Sequence, residues 1–172
     1  LEQAVAVFDE HSKADAVLFD VMMEYADRSE RYVMPSFDVI TGSEAFRLSL
    51  TWKVHGLYMI RTDIHRRIPY DDSCRLYSDD NTTRLHYVAS REVRPCGGVY
   101  HYRQHNGSAT HAASVRRFDR LRADESMLRQ MEKLGIGSDL LNEYENQRWL
   151  NLVDTYMFYH CHNGELSCDE CK

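Results

Sequence analysis

From Tyr77 to Thr83 the chain reads Tyr-Ser-Asp-Asp-Asn-Thr-Thr, which sets Asp79 and Asp80 side by side at a loop-to-helix junction. A carboxylate there could act as a general base, accepting the proton of a substrate hydroxyl within hydrogen-bond reach. The same residues could instead cap the helix, because Asp satisfies orphan amides at a helix start and opposes the macrodipole. Spacing alone leaves both roles open. A second pair, Asp71-Asp72, follows Pro69 but lacks the D-x-D-x-D-G spacing of a calcium loop, so it reads as a solvated loop. From Tyr100 through His101, Tyr102, Arg103 and His105, then Ser108 and His111, aromatic and cationic groups crowd into twelve residues. Guanidinium forks match phosphate oxygens and could clamp a diphosphate, and an ordinary edge strand is the simpler alternative. Near the end, His160-Cys161-His162 and Cys168-x-x-Cys171 reach the ligand count of a structural zinc site. A reduced tail explains them as well.

Other chemistry is excluded by missing motifs. The sequence has no G-x-x-x-x-G-K-[ST] loop, no G-x-G-x-x-G after a strand, no G-x-S-x-G elbow and no H-E-x-x-H.

The elements that position these residues alternate in kind. Leu1, Ala4, Val5 and Phe8 fall at helical spacing, and Ala16 to Met22 is a β-branched and aromatic run long enough for a buried strand. A weaker strand is predicted around 31–34. Thr41-Gly42-Ser43 offers a start for a helix over 44–50, 69–78 reads as a loop, and Asp79 or Asp80 caps a helix running to about Ser90. Pro95-Cys96-Gly97-Gly98 looks like a tight connection between two strands, the second placing Tyr100 and Tyr102 on one face. Phe118 to Leu134 fits a long helix closed by Gly135. Ser138-Asp139 opens another, with Leu141, Tyr144, Trp149, Val153 and Tyr156 on one stripe. The fold class predicted is α/β, a mixed sheet with flanking helices followed by a helical C-terminal region. Residues 1–113 form the sheet-bearing part, 114–160 the helical extension and 161–172 a tail.

Composition narrows the class further. The 172 residues hold 21 Lys+Arg against 27 Asp+Glu, a net charge of −6 that argues against a dedicated nucleic-acid binder. No apolar run approaches the ~18 residues of a membrane span. Five cysteines, an odd number in a chain able to build its own core, favour a reducing compartment over a disulfide framework. Two sequons, at Asn81 and Asn106, follow no secretory signal.

Four segments together resemble the second half of a bacterial family-2 glycosyltransferase of the GT-A type. They are 14–20 (Ala-Asp-Ala-Val-Leu-Phe-Asp), 53–61 (Lys-Val-His-Gly-Leu-Tyr-Met-Ile-Arg), 77–83, and 99–110 with its Tyr-His-Tyr-Arg and Gly-Ser-Ala-Thr. The resemblance covers roughly residues 1–115 and implies a partial GT-A-like sheet. It implies inverting transfer of a sugar from a nucleotide-sugar donor to a glycan or lipid-linked acceptor, as in surface polysaccharide synthesis. It places the catalytic base at Asp79, with Asp80 the alternative because Ser78 stands where the family usually has Glu. Arg103 and His101 would then meet the donor diphosphate, and Trp52, Tyr58 and Tyr102 the acceptor. Core packing is the other role open to Trp52 and Tyr58. The family's donor-binding half, with its D-x-D motif and divalent cation (Mg or Mn), has no counterpart among these residues. Leu1, inside a helical pattern and not preceded by Met, then corresponds to a point just after that motif, and the chain alone is expected to be inactive. The implied location is cytoplasmic, with peripheral association at the inner face of the membrane. The rival expectation is a non-catalytic interaction module, with zinc on Cys161, Cys168 and Cys171 stabilising its tail.

Overall fold

Alternation explains the central strand. In β1 (Ala14–Glu24) successive side chains point to opposite faces, and both faces are buried from Ala14 to Phe19. Ala16 and Leu18 meet Ala45, Val54, Tyr87 and Val93 on one side. Val17 and Phe19 meet Ala4 and Cys96 on the other. A strand covered on both faces reads as a continuous apolar run rather than an alternating one, which is what Ala16 to Met22 displays.

A computed structural model describes residues 1–104, 114–162 and 164–166. Around β1 stand α1 (Glu2–Glu10), β2 (Ser29–Arg31), β3 (Ile40–Thr41), α2 (Gly42–Leu50), β4 (Tyr58–Ile60), α3 (Thr62–Arg67), α4 (Ser78–Val88) and β5 (Glu92–Arg103). A 3-10 turn (Val115–Phe118) leads into α5 (Asp119–Lys133) and α6 (Ser138–His162). The five strands form one mixed sheet in the order β2-β1-β5-β3, with β4 also on β1. β5 runs parallel to β1, whereas β2 and β4 pair with it antiparallel. The fold is therefore α/β, with flanking helices and a helical C-terminal region. Among the described residues no helix is long and apolar enough to cross a membrane.

The chain divides into two compact units. The first contains Leu1–Pro69 and 83–104, hence the sheet; the second contains Tyr70–Thr82 and the described residues from 114 onward. In the first unit, Asp15 anchors β1 to the start of β5. Its carboxylate accepts from the Arg91 backbone N–H at 2.8 Å and from the Arg91 guanidinium at 2.8 and 2.9 Å. Burial alone would raise the Asp15 pKa, but Arg91, aided by Arg61, holds it below the ordinary carboxylate value. In the second unit Asp124 plays a similar part. Buried on α5, it accepts from Asn151 Nδ2 at 2.9 Å and the Tyr144 hydroxyl at 3.2 Å, both on α6.

Four expectations are corrected. Pro95-Cys96-Gly97-Gly98 is not a turn: β5 runs through it, and the register jumps from Leu18↔Pro95 to Asp20↔Val99. The extra residues are absorbed as a bulge, where a Cβ on Gly98 would lie 3.2 Å from the Phe19 ring. The early weak strand lies at Ser29–Arg31, in antiparallel register with β1, and not at 31–34. α6 continues to His162, so Cys161 and His162 belong to a helix rather than a tail. Its buried stripe is Leu140, Tyr144, Asn151 and Thr155, while Trp149, Val153 and Tyr156 face outward. Asn151 turns inward because Asp124 is buried there and needs donors, and the Thr155 hydroxyl is satisfied by the Asn151 carbonyl at 2.7 Å.

Candidate functional site

Asp79 and Asp80 are the second and third residues of α4, which begins at Ser78, so neither occupies the cap. They sit in the first turn, where the amide ends of the helix favour a negative charge. From Asn81 to Tyr87 every residue is buried, yet Asp79 is exposed and Asp80 half-buried.

The neighbourhood of that turn is tightly fixed. Tyr77 immediately before it holds φ at 71°, a left-handed conformation rare for an aromatic residue. Its carbonyl accepts the Asn81 N–H at 3.2 Å, and the Arg120 guanidinium lies 3.8 Å from its ring centroid. Asn81 Nδ2 donates to the Ala123 carbonyl at 3.0 Å, and the Asp71 N–H donates to Thr82 Oγ1 at 3.1 Å. Asp71, expected to be solvated, is an acceptor hub for Ser126 Oγ (2.7 Å), the Ser73 N–H (2.9 Å) and Gln130 Nε2 (3.3 Å). Burial would raise its pKa, but these hydrogen bonds outweigh it and lower it. Asp72 remains exposed. Sequence reasoning missed the role of Asp71 because Ser126 and Gln130 lie more than fifty residues away.

Trp52 stands in the first unit, just past the end of α2. The Lys53 N–H returns to the Leu48 carbonyl at 2.9 Å and the Trp52 N–H to Ser49 at 3.2 Å, the paired bonds of a Schellman motif. That motif wants a left-handed residue after the cap, usually Gly, and Trp52 supplies it at φ 57°. α5 ends in the same motif, with bonds from Ile136 to Met131 and Gly135 to Glu132, and there Gly135 takes the left-handed place. The Tyr32 hydroxyl donates to the Trp52 carbonyl, the buried Arg84 guanidinium lies 5.6 Å from the indole, and the ring stays 46% exposed.

Tyr58 is engaged differently. Its hydroxyl meets His86 Nδ1, its ring lies 5.2 Å from Tyr87, and His86 Nε2 bonds the Ile68 carbonyl at 2.7 Å. Burial, and secondarily the charge of His65, depresses the His86 pKa against the pull of Ile68. His55 is depressed for the same first reason, with Phe19 and Asp20 opposing. Since His55 Nδ1 accepts the Leu57 N–H at 3.1 Å, the neutral ring carries its proton on Nε2, which is buried without a hydrogen-bond partner among the described residues.

At the far end of β5, Tyr100, His101, Tyr102 and Arg103 are all exposed. Register places Arg103 opposite Glu24, and His101 Nδ1 lies 2.7 Å from a Glu24 oxygen. Glu24 is held below its usual pKa by Ser29 first and then by His101. The tyrosine rings stand 6.5 Å apart. Sequence reasoning named the β5 cations without Glu24, since the pairing spans 77 positions. Two groups of candidates thus lie in separate units: Asp79 and Asp80 in one, Trp52, Tyr58, His101, Tyr102 and Arg103 in the other.

Among the described residues no group of three or more His, Cys, Asp or Glu is arranged to hold a metal ion. His105, Ser108, His111, Cys168 and Cys171 lie outside the described residues, as does Asn106 of the second sequon. Cys74, Cys96 and Cys161 are free thiols. No protein-family model matches the chain, and no curated protein sequence matches it.

Proposed function

We propose that the chain is the acceptor-side part of an inverting glycosyltransferase that moves a sugar from a nucleotide-sugar donor to a hydroxyl of a glycan or lipid-linked acceptor. The observation that carries this reading is the Asp79 carboxylate, exposed on the first turn of a helix that is buried from Asn81 to Tyr87 and that begins directly after a left-handed tyrosine. Such backbone strain costs about 1–3 kcal/mol and collects at sites of function. Trp52 supports the reading independently, because it holds an exposed ring at a position where glycine would be cheaper.

In this reaction Asp79 accepts the proton of the acceptor hydroxyl as that oxygen attacks the anomeric carbon. The bond to the nucleoside diphosphate breaks on the opposite face, which inverts the configuration. Asp80 is the neighbouring alternative for the base. Arg103 and His101 offer donors to the leaving diphosphate, and Trp52 offers a flat face to the acceptor sugar. On this reading the nucleotide and a divalent cation would be held by the D-x-D carboxylates of the enzyme's donor-binding half, which has no counterpart among these residues. The enzyme works in surface polysaccharide synthesis at the cytoplasmic face of the membrane.

Reading the coding region upstream of Leu1 tests the proposal. Alternating strands and helices ending in D-x-D are expected. A start codon a few residues before Leu1 would overturn it, leaving Asp79 a helix-stabilising charge. A second reading, an interaction module without chemistry of its own, is favoured by one observation: large apolar side chains are exposed along α6.

A further inference from the structure

From Trp149 to Tyr159, α6 is apolar on nearly every side, with Asp154 its one charged residue. A helix apolar all round normally lies buried. Here only the face toward α5 is covered: Trp149, Leu150, Val153 and Tyr156 remain 58% to 64% exposed. Trp149, Leu152, Tyr156 and Tyr159 recur at spacings of three, four and three, the seam spacing of two helices packed side by side.

We propose that this face binds the same face of a second copy of the chain, forming a two-fold symmetric dimer. Area supports it. With about 150–250 Å² on each large aromatic, the exposed side chains of this segment offer on the order of 700 Å². That exceeds the ~300–600 Å² of the largest apolar patch on a typical monomer. It approaches the ~800 Å² that each partner buries in a standard interface. Charge identifies the occupant. With only Asp154 inside it, the patch gives an acidic or basic partner little to read, and two copies bring no dense like charge together. Helices that lie in a bilayer surface carry Lys and Arg along their polar face. Between Ser138 and His162 there is one such residue, Arg148, against Asp139, Glu143, Glu145 and Asp154. A two-fold contact needs one self-complementary patch, and this helix supplies it.

Light scattering on the intact protein, at rising concentration after size exclusion, tests the inference independently of any transferase activity. The expected result is a mass of two copies. Trp149→Glu with Val153→Glu should weaken association by about a hundredfold or more, since each charge would be buried without a partner. The helical circular-dichroism signal should persist, because both side chains are more than half exposed. Should that variant lose its helix, Tyr156→Arg alone gives the same readout at the most exposed position of the face. A wild-type protein that stays single at every concentration overturns the proposal, and so does a charged variant that still pairs. A chain single in solution that binds vesicles overturns it in favour of a lipid-facing surface.

Discussion

Trp52 and Gly135 close two helices with the same pair of hydrogen bonds, yet one is the largest side chain and the other has none. Left-handed backbone costs an L-residue roughly 1–2 kcal/mol, a cost glycine avoids. The indole is therefore kept at the expense of stability. Trp52→Gly should leave the melting temperature equal or higher, while in the intact enzyme it raises the acceptor KM roughly 5–10-fold, the worth of one aromatic stacking contact. A lowered melting temperature with an unchanged KM would make the ring a packing residue. Tyr58 contrasts with it, because His86 and Tyr87 already occupy its hydroxyl and ring. At this scale the sequence named the two carboxylates of α4 and the β5 cations. It could not assign the roles of Glu24 and Asp71, because His101 and Ser126 reach them from distant elements. Nor could it tell the exposed Asp79 from its neighbour, since burial follows from packing.

The elements were legible where a local signal decides them. α2 begins at Thr41 with a full capping box: the Glu44 N–H donates to Thr41 Oγ1 at 3.2 Å, and the Thr41 N–H donates to Glu44 at 2.8 Å. Gly42 then lets this helix start approach the end of α4. A Cβ there would lie 2.1 Å from the Tyr87 carbonyl oxygen and 2.2 Å from that of Ser90. Both obstacles are backbone, so they cannot rotate aside. Gly42→Ala should destabilise the first unit by about 3 kcal/mol or more, read as a drop in the urea midpoint, and a loss under 1 kcal/mol would contradict the packing described. Local signals failed where tertiary pairing rules. The glycines of β5 resemble a turn until β1 runs alongside in parallel register. The six residues of α3 are too polar to announce a helix, though the buried Ile64 anchors them. On α6 the larger apolar side chains lost the inward face to Asn151, because Asp124 required a donor, and to Thr155, whose hydroxyl the Asn151 carbonyl satisfies.

Across the molecule, burial of neutral histidines sets the response to acid. His55 and His86 both have pKa values below 6.5 in the folded state because burial disfavours the imidazolium. The unfolded chain takes up those protons first as pH falls through 6.5, so their contribution is complete above that pH and is lost below it. The carboxylates held low, Asp15 and Asp71, keep their contribution until the pH falls below the ordinary carboxylate value of 3.8. The urea midpoint should therefore drop between pH 7.5 and pH 5.5, and a midpoint that is flat or rising would contradict the neutral assignment. Function rests on a narrower point, the carboxylate that takes the acceptor proton. The most direct test compares Asp79→Asn, Asp80→Asn and the wild type in the intact protein, following nucleoside diphosphate release with melting temperature as the fold readout. Loss of about 10²–10⁴-fold in turnover for Asp79→Asn, at an unchanged melting temperature and with a smaller loss for Asp80→Asn, is the predicted result. Wild-type turnover by Asp79→Asn would contradict it.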